Sequence, residues 1–189
     1  MRKPSFFFFA IIVLILVAAI FSGYVFGLQN PTENRIIINE VSGTFSGLQE
    51  SPRAEVLAFI FINNTVKAFI SMILGVFLGL ITINFIFING VLIGMVMAFS
   101  QNDISLKYFL AGTLPHGIIE LFAIVLASTY GLWLGAMFVR YIVKKDKVSL
   151  KQAWKYSISK FFKIVLPLLA IAALIETYIT PYFISLSLR

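Results

Sequence analysis

Residues 54–100 read AEVLAFIFINNTVKAFISMILGVFLGLITINFIFINGVLIGMVMAFS, and the class of the protein turns on this stretch. It is apolar over 47 residues, with Glu55 and Lys67 its only charges. A helix rises 1.5 Å per residue, so about 20 residues cross a hydrocarbon core roughly 30 Å thick. The stretch is too long for one crossing and about right for two. Asn89-Gly90 is a turn dipeptide, which predicts a break between Asn84 and Gly90 and spans over 56–81 and 84–100. The first of these carries Asn63, Asn64 and Lys67 inside it, and beyond Gly90 only Val91 to Phe99 precede the polar Gln101-Asn102-Asp103. Such short apolar pieces are expected of broken or re-entrant helices, which persist only where protein or trapped water satisfies the freed backbone.

Working outward, Met1-Arg2-Lys3-Pro4 is followed by an apolar run from Phe6 to Leu28. Its length, and the bulky Phe21-Ser22-Gly23-Tyr24 in place of a small-residue cleavage site, read as a retained anchor and not a signal peptide. Residues 29–53 are rich in Gly, Pro, Asn and Ser and are expected as a loop. Leu106 to Thr113 is another short apolar piece. Pro115 is expected to open a helix running to Tyr141, because proline suits the first helical position. A last apolar run, 164–186, contains Pro167, Glu176 and Pro181. The fold class is therefore an all-α polytopic membrane protein, a single membrane domain over 1–189. About five transmembrane helices (6–28, 56–81, 84–100, 115–141, 164–186) carry broken or re-entrant segments.

The whole composition agrees. Of 189 residues, 60% are hydrophobic and 12% charged, against about 45–50% and about 25% in soluble domains. The absence of Cys excludes disulfides, thiolate metal sites and a cysteine nucleophile. A single His excludes sites that need several imidazoles from one chain. No H-E-x-x-H, G-x-S-x-G or phosphate-binding glycine loop occurs, so a non-enzymatic protein is expected.

The charge is concentrated. Arg140, Lys144, Lys145, Lys147, Lys151, Lys155, Lys160 and Lys163 face the single acid Asp146, which accounts for the entire net charge of +7. Positive segments stay cytoplasmic, and Arg2-Lys3 favour the same side, so a five-span chain has its N-terminus and its basic segment in the cytoplasm and 29–53 outside. Within 142–163, Ser149 suits a cap. Leu150, Ala153, Trp154, Ser157, Ile158 and Phe161 recur at helical spacing away from Lys151, Lys155 and Lys163. Such a helix is expected against anionic headgroups, or as a dock for an acidic cytoplasmic partner. A nucleic-acid partner is not needed to explain it.

Ten of twelve glycines form G-x-x-x-G pairs: Gly23/Gly27, Gly43/Gly47, Gly75/Gly79, Gly90/Gly94 and Gly131/Gly135. Glycines one turn apart let backbones approach closely, which predicts helix packing within the chain or self-association. The densest polar signal is Leu114-Pro115-His116-Gly117-Ile118-Ile119-Glu120-Leu121, where His116 and Glu120 share a helix face at membrane depth. With Asn63, Asn64, Lys67, Asn84, Asn89 and Glu176 they are the polar residues inside apolar runs, where a charge costs about 2.5–3.5 kcal/mol. Three roles fit: a satisfied network that pins broken helices, a proton or ion path, or a metal site built on His116 and Glu120.

The Pro115-His116-Gly117-Ile118-Ile119-Glu120-Leu121 string resembles the stage II sporulation protein M family, an integral membrane family. Asn63-Asn64, Gly75-x-x-x-Gly79 and Asn89-Gly90-x-x-x-Gly94 extend the resemblance across roughly residues 55–140. It implies a membrane scaffold or subunit: in spore formers a member is part of a cell-wall-degrading engulfment machine and helps to localise its peptidoglycan hydrolases. A homo-oligomer or a membrane-protein partner is the expected assembly. A small ion or solute transporter around His116 and Glu120 is the competing expectation.

Overall fold

The computed structural model describes residues 4–43, 51–102, 106–144 and 150–187. Arg2, Lys3, Gly47, Asp103, Lys145, Asp146, Lys147, Ser149 and Arg189 lie outside them, and so do the expectations placed on those residues. Among the described residues every regular element is a helix: α1 (Phe6–Gln29), α2 (Pro31–Gly43), α3 (Arg53–Leu74), α4 (Leu80–Asn102), α5 (Leu106–Lys144) and a long last helix. The last runs as α6 (Leu150–Lys160), α7 (Leu166–Leu174) and α8 (Thr180–Ser187), joined by π-helical turns at Phe161–Val165 and Ile175–Ile179. Five stretches are long and apolar enough to cross a membrane: Phe6–Gln29, Arg53–Leu74, Leu80–Ser100, Leu110–Val143 and Leu150–Leu186. α5 is the axle of the bundle and touches α1, α3, α4, α6, α7 and α8.

Two glycine seams set the pairing. Gly90 of α4 lies under Leu16 and Ala19 of α1, Gly94 under Ile20 and Tyr24, and Gly27 of α1 against Ala98, so α1 and α4 run parallel with backbones nearly touching. Gly75 lies against the backbone of Gly131, and Gly135 against Gly75, Leu78 and Gly79, which seats the end of α3 on α5. Without a solvent-driven hydrophobic force between spans, such close packing supplies much of the association energy. These glycine faces are consumed within the chain.

Three boundaries differ from expectation. The break between the second and third spans is not at Asn84–Gly90 but at Gly75–Gly79, where Leu78 (φ 58°) and Gly79 (φ 76°) take the left-handed conformation. Only glycine adopts it without steric cost. Asn89-Gly90 is instead helical: Asn89 Nδ2 donates to the Phe85 carbonyl at 2.8 Å, and Gly90 serves the seam with α1. No short re-entrant piece follows Gly90, because α4 continues to Asn102.

Second, Pro115 lies inside α5 instead of opening it, and Leu106 to Thr113 form the first turns of the same helix. Proline costs one i→i−4 bond, here to Ala111, which a helix packed on its neighbours tolerates. Third, the polar segment expected as a loop contains α2. Asn30 begins it, accepting the Asn34 N–H at 2.9 Å, with Pro31 next and Glu33 in the first turn. That order of residues is favoured at helix N-termini. α2 is held back onto the α1–α4 pair by buried Ile38 and by buried Asn34, whose Nδ2 donates to the Met95 carbonyl at 3.1 Å.

The basic amphipathic helix is the first part of the last span, not a separate element. Leu150–Leu186 has 37 residues, about 55 Å of helix, so it extends well beyond the hydrocarbon core. Lys151 and Lys155 are exposed. The opposite face packs inward, Ala153 and Trp154 joining Trp133, Leu134 and Met137 of α5 and Phe8 of α1. Each π-helical turn stands just before a proline, Pro167 and Pro181. A proline ring clashes with the carbonyl four residues earlier, and widening the helix by one residue relieves it. In both turns the i→i−5 bond is made: Leu166 N–H to the Phe161 carbonyl and Thr180 N–H to the Ile175 carbonyl.

Candidate functional site

Three ionisable side chains from two spans converge. His116 and Glu120 sit one turn apart on α5, and Glu176 reaches them from the second π-helical turn of the last helix. One ligand atom from each lies within 4.8 Å of the others. His116 Nε2 is 3.9 Å from Glu176 Oε2, and His116 Nδ1 is hydrogen-bonded to Thr180 Oγ1 at 3.2 Å. The imidazole is thereby held at both nitrogens from the same helix. The π-helical turn matters here, because the extra residue shifts the register by which Glu176 and Thr180 face α5.

The cluster borders a groove of about 390 Å³ between α4 and α5. Asn89, Thr113, His116 and Glu120 give it polarity, while Leu114 and Ile118 stand at its mouth, 47% and 65% exposed. On the other side of α5, a wider groove of about 540 Å³ runs to the last helix past Ala111, Pro115, Ile175 and Phe183, and its lining is apolar. The polar chemistry therefore faces one side only.

Of the sequence candidates, Asn89, His116 and Glu120 share the polar groove and Glu176 joins them. Lys67, exposed on α3, exerts an attractive charge on Glu120, and the Glu120 and Glu176 carboxylates repel each other. Asn63 and Asn64 are hydrogen-bonded to one another at 3.3 Å, half-buried on α3. Gly75, Gly79, Gly90, Gly94, Gly131 and Gly135 all lie in the two seams. Thr180 was missed by sequence reasoning; its signal was a hydroxyl directly before a proline, four residues after an intramembrane carboxylate.

A family model described as stage II sporulation protein M matches residues 5–181, which includes every residue of the cluster. The likeness thus reaches well beyond the central segment. An uncharacterized protein of Methanocaldococcus jannaschii is 30% identical over 174 residues, 90% of this chain and 94% of that protein. No solved structure matches the chain.

Proposed function

The chain belongs to the stage II sporulation protein M family, and on that premise we propose that it is a non-enzymatic membrane subunit whose polar groove receives a transmembrane helix of a partner protein or of a second copy. One observation carries the reading: Asn89, Thr113, His116 and Glu120 face a groove whose mouth opens between lipid-exposed Leu114 and Ile118. Polar side chains in contact with hydrocarbon are costly, and a docked helix offering small or polar residues would cover them. A photo-crosslinking residue placed at Ile118 is expected to form a discrete protein adduct in native membranes. The same probe at Phe21, 68% exposed on α1, should give only lipid adducts. Equal, lipid-only labelling at both positions would remove the proposal.

The convergence of His116, Glu120 and Glu176 inside spanning stretches favours a second reading, an ion or solute path. In proteoliposomes with an ion panel, that reading requires flux by the wild type and its loss in Glu120→Gln. We further propose a cell-membrane location with the basic residues 140–163 cytoplasmic, bordering anionic headgroups, and α2 on the other side. Single cysteines at Lys151 and Glu33 should then react with impermeant reagents from opposite faces; reaction from one face would overturn that orientation.

A further inference from the structure

We infer that His116, Glu120 and Glu176 bind one divalent transition-metal cation of the zinc type, with His116 Nε2 and one oxygen from each carboxylate as ligands. The inference does not depend on the subunit reading. It begins with geometry. The three donor atoms lie within 4.8 Å of one another. Bonds of about 2.1 Å in a tetrahedral site place ligand atoms about 3.3 Å apart, so side-chain rotations alone close the difference.

The second argument is orientation. Metal-binding imidazoles have their other nitrogen fixed by an outer partner, which sets ring and tautomer. Thr180 Oγ1 holds His116 Nδ1 at 3.2 Å and leaves Nε2 directed at Glu176. Thr180 and Glu176 lie four residues apart on one helix, so the outer partner and a carboxylate ligand arrive on one rigid element.

Charge is the third. Two carboxylates that repel each other within apolar spans need compensation. Lys67 is a single charge acting on Glu120; a dication between the carboxylates offsets both at the shortest distance. The donor set selects the ion class, since an imidazole with two carboxylates suits zinc and its neighbours, whereas magnesium and calcium prefer all-oxygen shells. His116 and Glu120 also line the polar groove, so a fourth position is open to water or another ligand.

The test uses the full chain in detergent, stripped with chelator and titrated with Zn²⁺, Mg²⁺ or Co²⁺. One Zn²⁺ per chain is expected, with a rise in melting temperature that Mg²⁺ does not reproduce. Co²⁺ should develop the visible absorption of a low-coordinate site. His116→Gln and Glu176→Gln should each weaken Zn²⁺ binding at least about tenfold, and Thr180→Val by about 10–100-fold, the range for an outer-shell partner. Size-exclusion profiles show which variants remain folded; should one fail, the wild-type stoichiometry and the Zn²⁺/Mg²⁺ comparison still decide. Absence of stoichiometric Zn²⁺ in the wild type, or unchanged affinity in folded His116→Gln, would overturn the assignment.

Discussion

Gly94→Ala is expected to destabilise the protein by about 3 kcal/mol, at the upper end of ordinary overpacking costs. A Cβ on Gly94 would meet the Ile20 carbonyl oxygen, would stand 2.6 Å from the Tyr24 nitrogen and would lie 3.0 Å from the Gly23 carbonyl carbon. All three neighbours are backbone atoms of α1, so no side-chain rotation makes room and the two helices must separate. Separation loses the dispersion contacts along the whole seam, since every residue from Leu16 to Gly27 is registered against α4. In a chain of this size the loss corresponds to a fall of about 6–12 °C in melting temperature. Gly117→Ala is the control, because its new Cβ would meet only the Thr113 methyl at an ordinary 3.4 Å. Thermal unfolding of both variants in detergent, followed by circular dichroism, separates them. Equal melting temperatures would mean that the α1–α4 seam is not close-packed.

The seam also shows what sequence carries and what it does not. Glycine spacing announced close helix contacts at Gly23, Gly27, Gly75, Gly79, Gly90, Gly94, Gly131 and Gly135, and all eight make them. Which pair meets which is a property of the whole bundle. A glycine on α1 is equally suited to a glycine on α4 or on a second copy, so spacing alone could not choose. The number of spans was legible because twenty apolar residues are the minimum for a crossing, whatever the local turn chemistry. Boundaries were less so. Asn89-Gly90 and Gly75-x-x-x-Gly79 are both turn-compatible, and only packing against α1 makes the first helical while the second takes positive φ.

The site was half legible. His116 and Glu120 stand four residues apart within one helix, a relation that sequence fixes by itself. Glu176 is 56 residues beyond Glu120, and its arrival depends on the π-helical turn at Ile175–Ile179, which changes the rotational register of everything after it. A straight α-helical count from Ile164 misplaces Glu176 and Thr180 together. The hint lay in Pro167 and Pro181, which announce that the helix must depart from regular geometry without saying in which sense.

The same helix shows that the site's geometry rests on packing far from it. Phe161→Ala is expected to cost about 2–3 kcal/mol, less than the about 3–5 kcal/mol of such truncations in water-soluble cores. The reduction follows from the solvent: moving phenyl carbons from a protein interior to lipid is nearly neutral, so the cavity and the lost contacts are what remain. Phe161 is 1% exposed, stacks edge-on with Phe69 at 5.0 Å, and fills the space between Ala68 and Met72 of α3 and Ala123 and Ala127 of α5. Around small side chains in a widened π-helical turn, nothing nearby can swing in to replace the ring. A fall of about 5–10 °C in melting temperature is expected, whereas Phe162→Ala, 54% exposed, should change little. Phe161 shares its cluster with Val165 and Leu169 on the helix that presents Glu176 and Thr180 four turns later. Loosening the first contact releases the lever, so a cysteine at Glu176 should react faster with a thiol reagent in the Phe161→Ala background than in the Phe162→Ala background. Equal reactivity would show that α8 is held against α5 by its own contacts and not through Phe161.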